Sequence, residues 1–347
     1  MKIGNRKIGE DYAPFIVAEM SGNHNKSLPR ALEITEAAAK AGAHALKLQT
    51  YTADTITLNI DTKDFLIDDP QSPWNGRRLY DLYQEASTPW DWHKPIFRRA
   101  AELGMICFSS PFDESAVDFL EDINSPAYKI ASFENNHYPL IKKVVETGKP
   151  LFLSTGLASL EELVELVDFL QKESCSNFVL LKCTSVYPAR SCDCNLKTMV
   201  DMKNHFKCEV GFSDHAPGIG AAVGAVALGA CVIEKHFTIR RADGGPDASF
   251  SLEPDEMVAL VRETNRAFEA LGKTHYGPTA LEQSSLGFRR SIYISEDIER
   301  NEELTEHNVR IVRPGFGLEP KHIYRVLGRR AKKNLTIGEP LKWSDIE

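Results

Sequence analysis

Val210-Gly211-Phe212-Ser213-Asp214-His215 and, after a Gly- and Ala-rich interval, Cys231-Val232-Ile233-Glu234-Lys235-His236 follow the same plan. Each is a short apolar run that ends abruptly in charged and imidazole side chains. Runs of this length, set among helical stretches, read as buried strands. Six more precede them, at residues 15–18, 43–48, 105–108, 127–131, 150–153 and 178–183. Amphipathic helical stretches alternate with them, such as 28–41, 92–103, 160–171 and 257–271. Two of these start on cap signals: Ser27 ahead of Leu28-Pro29, and Ser159 with Glu162 three residues on. Eight strands, each followed by a helix, predict an α/β fold of the (β/α)8 TIM-barrel type, and the span of the pattern suits the ~250 residues such a barrel needs. A doubly wound open sheet is the competing arrangement, but it calls for no eighth repeat.

The 347 residues exceed one such barrel. Within the pattern, residues 51–89 break the rhythm with a polar stretch bearing Trp74, Tyr80 and Tyr83. Insertions after a barrel strand fall on the catalytic face, so this one reads either as a lid or substrate wall, or as a decorated loop with two short helices. Past Leu271 a polar linker holds Gly277-Pro278, and short strand-like runs follow at 290–294, 309–312 and 332–337 among glycines. The expected organisation is a barrel over 1–275, a linker over 276–288 and a small second domain over 289–347.

A composition with 42% hydrophobic and 26% charged residues is that of a folded protein. No apolar run approaches the ~18 residues of a membrane span, so no membrane association is expected. The net charge of -8 argues against nucleic-acid binding, which needs a basic stripe. Residues 289–347 hold 12 Lys+Arg against 10 Asp+Glu, so the first 288 carry the negative charge. An anion bound there must be held by local cations and N–H groups. Seven cysteines, several within apolar runs, suit reduced thiols and a cytoplasmic setting, and Cys192-Asp193-Cys194 lacks the second pair a zinc site needs.

In a barrel the residues at the C-terminal ends of the strands converge on one mouth. Those positions hold Glu19, Lys47 with Gln49, Ser109-Ser110, Lys129 with Ser132 and Glu134, Ser154-Thr155-Gly156, Lys182 to Tyr187, Ser213-Asp214-His215 and Glu234-Lys235-His236. Lysines and histidines that follow directly on buried residues must be paired or bind something. Lys47 and Lys129, with Ser109, Ser110, Ser132, Ser154 and Ser213, make a plausible phosphate cradle. The plainer alternative is a salt bridge from each lysine to a neighbouring strand's carboxylate. Neither a Walker A nor a GxGxxG pattern is present, so nucleotide binding has no support. His215 and His236 end successive strands and can meet at the mouth as ligands for Mn²⁺ or a similar ion; a hydrogen-bonded core role is the alternative. His24 follows the first strand and could touch the ligand.

These strand ends resemble the sialic acid synthases. The resemblance runs through Ala18-Glu19-Met20-Ser21-Gly22-Asn23-His24-Asn25, Lys47-Leu48-Gln49-Thr50, Tyr128-Lys129-Ile130-Ala131-Ser132-Phe133-Glu134, Ser154-Thr155-Gly156, Gly211-Phe212-Ser213-Asp214-His215 and Ile233-Glu234-Lys235-His236-Phe237. It continues through Gly245-Pro246-Asp247 into Val312-Arg313-Pro314-Gly315, which is similar to that family's antifreeze-like (SAF) domain. Within the family, 74–83, 88–93 and 107–112 look like the pseudaminic acid branch. Lys26 and Ser185 stand where the N-acetylneuraminate branch has Gly and Asn.

The resemblance implies condensation of phosphoenolpyruvate with the open-chain aldehyde of an acetamido sugar, phosphate leaving by C–O cleavage. The implied acceptor is 2,4-diacetamido-2,4,6-trideoxy-L-altrose. N-acetylmannosamine or a diacetamido-mannose would instead make it an N-acetylneuraminate or legionaminate synthase. Lys47, Ser109, Ser110, Lys129, Ser132, Ser154, Ser185 and Ser213 would hold phosphoenolpyruvate. His215 and His236 would hold a divalent ion, Mn²⁺ with Mg²⁺ or Co²⁺ as alternatives. Glu19 and Glu134 are the candidates for proton handling. Gln49, Asn75, Glu134, Tyr187, Asp247 and Phe288 would face the sugar, joined by Arg313 from the neighbouring subunit of a domain-swapped homodimer. Two other classes compete: a metal-dependent pyruvate aldolase, which needs no phosphate cradle, and a sugar-binding protein without chemistry.

Overall fold

The computed structural model describes residues 1–70 and 72–347. A hairpin of β1 (Lys2–Ile3) and β2 (Arg6–Lys7) comes first. Eight parallel strands then close into a barrel: β3 (Phe15–Glu19), β4 (Ala45–Thr50), β5 (Ile106–Pro111), β6 (Tyr128–Ile130), β7 (Leu151–Ser154), β8 (Phe178–Cys183), β9 (Glu209–Asp214) and β10 (Val232–His236). Closure is made by β10 pairing with β3, which sets His236 opposite Glu19, while Glu19 stands opposite Lys47 on β4. The expected TIM barrel is therefore the fold, and the open sheet is excluded.

Helices α1 (Leu28–Lys40), α2 (Ala53–Ile56), α3 (Leu79–Ala86), α4 (Trp90–Glu102), α5 (Glu114–Asp122), α6 (Tyr138–Glu146), α7 (Leu160–Lys172), α8 (Lys197–Phe206), α9 (Gly220–Ala227) and α10 (Pro254–Leu271) follow the strands. The cap at α7 forms as read. Ser159 Oγ accepts from Glu162 N at 3.2 Å, and Glu162 Oε2 accepts from Ser159 N at 2.7 Å, an arrangement that stabilises a helix start by about 1 kcal/mol. Helix α10 begins at Pro254, ahead of the apolar pattern, because Pro suits the first helical turn and Glu253 caps it.

Alternation along the strands sorts side chains into two cores. Phe15, Val17, Phe108, Phe152, Val179 and Val232 are buried together inside the barrel, where Phe152 stacks on Phe15 and packs against Phe108. Ile16, Leu46, Leu48, Ile130, Leu153 and Leu180 pack outward against the helices. The same alternation carried toward the C-terminal ends puts Glu19, Lys47, Ser110, Lys129, Ser154, Cys183, Ser213, Glu234 and His236 in register with the inward set.

Residues 51–89 fold as α2, a 3-10 turn at Lys63–Phe65, a single bridge between Leu66 and Arg78, and α3. The two readings of this interval merge: it contains two short helices, and its apolar side chains line the mouth.

The chain divides after Gly272, and Lys273–Glu347 is compact by itself. Its strands β11 (Ser291–Ile294) and β12 (Val309–Val312) pair antiparallel over a core of Ile292, Ile294, Leu304, Val309, Val326 and Leu341. The run at 332–337 is not the strand expected. Ala331 and Leu335 are buried, but Lys332, Lys333 and Asn334 between them are exposed. A strand would turn Lys333 to the same face as Ala331 and Leu335, so its exposure breaks the alternation, leaving single bridges to Ile346 and Ile298.

Candidate active site

Four charged side chains fill the upper end of the barrel. Lys47 Nζ lies 2.7 Å from Glu19 Oε2 and 3.9 Å from Glu234 Oε1, and it donates to Ser110 Oγ at 3.1 Å. Lys129 Nζ lies 3.3 Å from Glu234 Oε1, to which Ser213 Oγ also donates at 3.1 Å. Gln49 donates to Glu19 Oε1 at 2.9 Å. All four charged groups are buried, a situation that costs several kcal/mol per ion unless each is paired and hydrogen-bonded. The salt bridge to a neighbouring strand, the plainer reading of the lysines, exists for Lys47 with Glu19; Lys129 instead reaches across the barrel to Glu234 on β10, and Glu234 draws both cations into one cluster. Glu234, to which strand-end position alone gives no role, is the hub of this cluster. Its place two residues before His236 puts both on the inward face.

These contacts set the protonation states. Burial raises Glu19 to about 7 even though Lys47 opposes it. Burial acts on Glu234 too, but Lys129 and Lys47 together outweigh it and hold its carboxyl below the ordinary value. An arriving anion would therefore meet two cations whose countercharges are a firmly ionised Glu234 and a Glu19 near its titration point.

The imidazoles of His215 and His236 stand with centroids 5.3 Å apart. His215 Nδ1 donates to the Thr184 carbonyl at 3.0 Å, so in the neutral ring it is Nε2 that carries the lone pair for a ligand. His236 Nδ1 is buried without a hydrogen-bond partner. The Tyr187 ring packs on His215 at 4.3 Å. Behind them, on the outward face, Lys235 and Asp214 form a buried ion pair of 2.7 Å. Asp214 Oδ1 accepts from Ala216 N at 2.8 Å, and Lys235 also donates to the Ala216 carbonyl, so the pair fixes the turn that carries His215. Cys183, another unassigned inward residue, places its sulfur 3.8 Å from His215 Nδ1. Burial would raise this thiol, but His215 beside it brings it down to about 6.

The donor chemistry fits a borderline divalent ion. One nitrogen is oriented by a backbone carbonyl and a second buried nitrogen lacks a partner. Among the described residues no three His, Cys, Asp or Glu side chains gather as a complete ligand set. Water or substrate would have to complete the coordination.

Gly156 lets Ser132 and Ser185 gather beside it. A Cβ there would collide with Ser185 Oγ and lie 2.6 Å from Ser132 Oγ, and Asn135 Nδ2 clamps the Gly156 carbonyl at 3.0 Å. Ser154 Oγ is buried without a partner. Ser109 is a correction. It sits one residue out of phase with inward Ser110, so its hydroxyl meets Thr50 Oγ1 at 2.6 Å, and Thr50 in turn meets His93 of α4 at 2.7 Å. It belongs to the barrel–helix layer and not to the cradle. His24 likewise turns away, to Thr88 at 3.2 Å and the edge of Trp92; burial lowers it to about 4.

Above the cluster lies a cavity of about 520 Å³. Gln49, Glu134, Tyr187, His236 and Asp247 give it polar groups, and Ile56, Ile67, Trp74, Leu79, Leu82 and Phe112 give it an apolar side. Glu134 Oε2 has no partner, and burial raises the carboxyl to about 7 despite Lys129. Burial also raises Asp247, which accepts a hydrogen bond from Ser21. Asn75 is exposed on a turn, where its N–H donates to the Ser72 carbonyl, and it does not line the cavity. Trp74 takes that place, its indole N–H donating to the Pro246 carbonyl at 2.8 Å. Lys26 donates from Nζ to the Ser87 carbonyl and hydroxyl at 2.5 and 2.9 Å, pinning its turn to the residue after α3. Phe288 and Arg313 belong to the second unit and line a concave patch there with Arg289 and Arg290. The Arg313 guanidinium is exposed, with no hydrogen bond or ion pair among the described residues.

A closed parallel barrel whose mouth joins buried cations to a pair of imidazoles defines a class: barrel enzymes acting on anionic small molecules. The chain belongs to the NeuB family, whose model matches residues 34–276, and the model of the SAF domain matches residues 289–347. It is 45% identical over the whole of both chains to a pseudaminic acid synthase of Campylobacter jejuni. It is 40% identical to that of Helicobacter pylori, over 96% of this chain and 98% of the relative. Among solved structures it is similar to an N-acetylneuraminic acid (sialic acid) synthetase from Leptospira borgpetersenii in complex with citrate, with a TM-score of 0.73 and 32% identity over 82% of this chain and 94% of the other.

Proposed function

We propose that the barrel mouth condenses phosphoenolpyruvate with the open-chain aldehyde of 2,4-diacetamido-2,4,6-trideoxy-L-altrose, giving pseudaminic acid and phosphate. The observation that carries this reading is the joining, at one rim, of Lys47 and Lys129 to the His215–His236 pair beneath a cavity with one apolar side. Phosphate and carboxylate take the two lysines, with Ser110, Ser132, Ser154, Ser185 and Ser213 as directed hydroxyls. Ser154, unpartnered as it stands, is the readiest of these.

The enol C3 forms a bond to the aldehyde carbon, and the aldehyde oxygen gains a proton to become a hydroxyl. The C2 so made electron-poor is attacked by water, which gives up a proton. The C2–O bond then breaks, phosphate leaves with the bridging oxygen and the bonding pair, and the hydroxyl left by the water gives its remaining proton to that phosphate, so a 2-keto acid remains. Glu134 accepts the proton of the water: it is unpartnered, faces the cavity and titrates at about 7. Glu19, bound to Lys47 and Gln49, fixes those two side chains. A divalent ion held by His215 and His236, Mn²⁺ or alternatively Mg²⁺ or Co²⁺, supplies Lewis-acid polarisation of the aldehyde when bound. Gln49, Tyr187 and Asp247 hold the sugar hydroxyls and acetamido groups. Phe288 and Arg313 reach the acceptor from the neighbouring subunit of a domain-exchanged homodimer, Arg313 offering its unpaired guanidinium to an acetamido carbonyl. The enzyme works in the cytoplasm, in keeping with seven unpaired cysteines and no helix, among the described residues, long and apolar enough to cross a membrane.

Incubation with phosphoenolpyruvate, Mn²⁺ and the diacetamido-trideoxy-altrose should release phosphate in step with keto acid. Turnover with N-acetylmannosamine or a diacetamido-mannose in its place would move the assignment to a sibling synthase. Full activity of Lys47→Ala and Lys129→Ala proteins on pyruvate would favour the aldolase.

A further inference from the structure

We infer that the apolar side chains of the insertion after β4, chiefly Ile56, Ile67 and Leu79, select the acceptor by receiving its C6 methyl group and the methyl of its second acetamido group. The inference rests on the condensation proposed above and assigns its acceptor discrimination to particular residues. Among the described residues, positions 51–86 give the cavity only aliphatic and aromatic side chains, and the phenols of Tyr51 and Tyr83 are their only hydroxyls. None of them is a carboxylate, an amide or a cation. The one N–H donor, in Trp74, is already used on the Pro246 carbonyl at 2.8 Å. Ile56, Ile67 and Leu79 are each only partly buried, so they keep apolar surface that the fold itself does not cover.

That surface is held in place. Ile67 N donates to the Arg77 carbonyl at 2.9 Å, and Gly76 N donates to the Ile67 carbonyl at 2.8 Å, so Ile67 and Trp74 sit on one tight loop. Tyr51 meets Tyr83 and Phe112 edge-on, which joins the base of the insertion to β4 and to the residue after β5. The polar groups of the cavity, Glu134, His236 and Asp247, come from other parts of the barrel. A sugar whose reacting end faces those groups presents its far end to the insertion. A hydroxyl set against Ile56, Ile67 and Leu79 would lose water without gaining a partner from them. A methyl would lose nothing. An apolar pocket rejects an added hydroxyl only modestly, by up to ~10²-fold, so a preference of that order is expected.

The test compares kcat/KM for the trideoxy acceptor with that for its 6-hydroxy counterpart, in the wild-type protein and in Ile67→Ser, Leu79→Ser and Ile67→Leu variants. The wild type should favour the 6-deoxy sugar by roughly 10- to 100-fold. Either serine variant should cut that ratio by about tenfold, leave the KM for phosphoenolpyruvate unchanged, and have Ile67→Leu as a control that keeps the ratio. An unchanged ratio in both serine variants, with turnover intact, overturns this inference and leaves the condensation standing. A wild type that turns over neither sugar overturns the condensation and this inference together.

Discussion

Glu134 carries an unpartnered oxygen into the cavity and is raised by burial to about 7, with Lys129 opposing. As acceptor of the water proton it must be ionised, so kcat/KM should rise with pH through about 7. Glu134→Gln should abolish that limb and lower kcat by ~10²–10⁴-fold, as read from a pH–rate profile. Stability runs the other way. A carboxyl raised by burial favours the fold most below its ordinary value of 4.5, and this contribution is lost as pH rises to about 7. The melting temperature of Glu134→Gln should therefore fall less than that of the wild type across this window. At this scale the sequence was partly legible. Glu19, Lys47, Lys129, His215 and His236 all reach the rim expected of them. Ser109 does not, because two adjacent serines on a strand cannot both face inward, and Ser110 has the inward phase. The same alternation singles out Glu234 and Cys183, each two residues along from an inward apolar side chain, from the strand-end residues as members of the site, where strand-end position alone gives them no role.

The element that presents His215 depends on a pair lying behind it. Lys235 and Asp214 are buried at 2.7 Å on the outward face of β9 and β10, and both bind Ala216. Lys235→Met leaves a buried carboxylate alone, which should destabilise the protein by about 3–5 kcal/mol in urea denaturation. Because the turn after β9 then loosens, calorimetry should also show weaker Mn²⁺ binding. Unchanged stability would mean that Asp214 finds water or another cation. Strands and long helices were readable here because periodicity repeats across many residues. The interval at 51–89 has no such period. That Trp74 faces inward while Asn75 faces solvent is decided by a turn closed between Ile67 and Arg77, which no local pattern announces. The expected strand at 332–337 does not form for a related reason: composition suggests it, but Lys333, which would share a face with buried Ala331 and Leu335, is exposed.

Over the whole molecule, the barrel and the SAF domain each have their own core. Placing Arg313 and Phe288 against a neighbour's barrel is a statement about the assembly, so residue patterns within one chain could not supply it. Mixing inactive His215→Ala chains with Arg313→Ala chains should restore up to about a quarter of wild-type activity if domains are exchanged in a two-fold dimer, since each mixed dimer then has one intact site. No recovery would place Arg313 in its own chain's site or outside any site. The reaction itself is tested most directly with phosphoenolpyruvate carrying ¹⁸O at the bridging position, incubated with Mn²⁺ and the diacetamido-trideoxy acceptor. Attack of water at C2 predicts that all the label leaves in inorganic phosphate, in step with keto-acid formation, and label retained in the keto acid would contradict it.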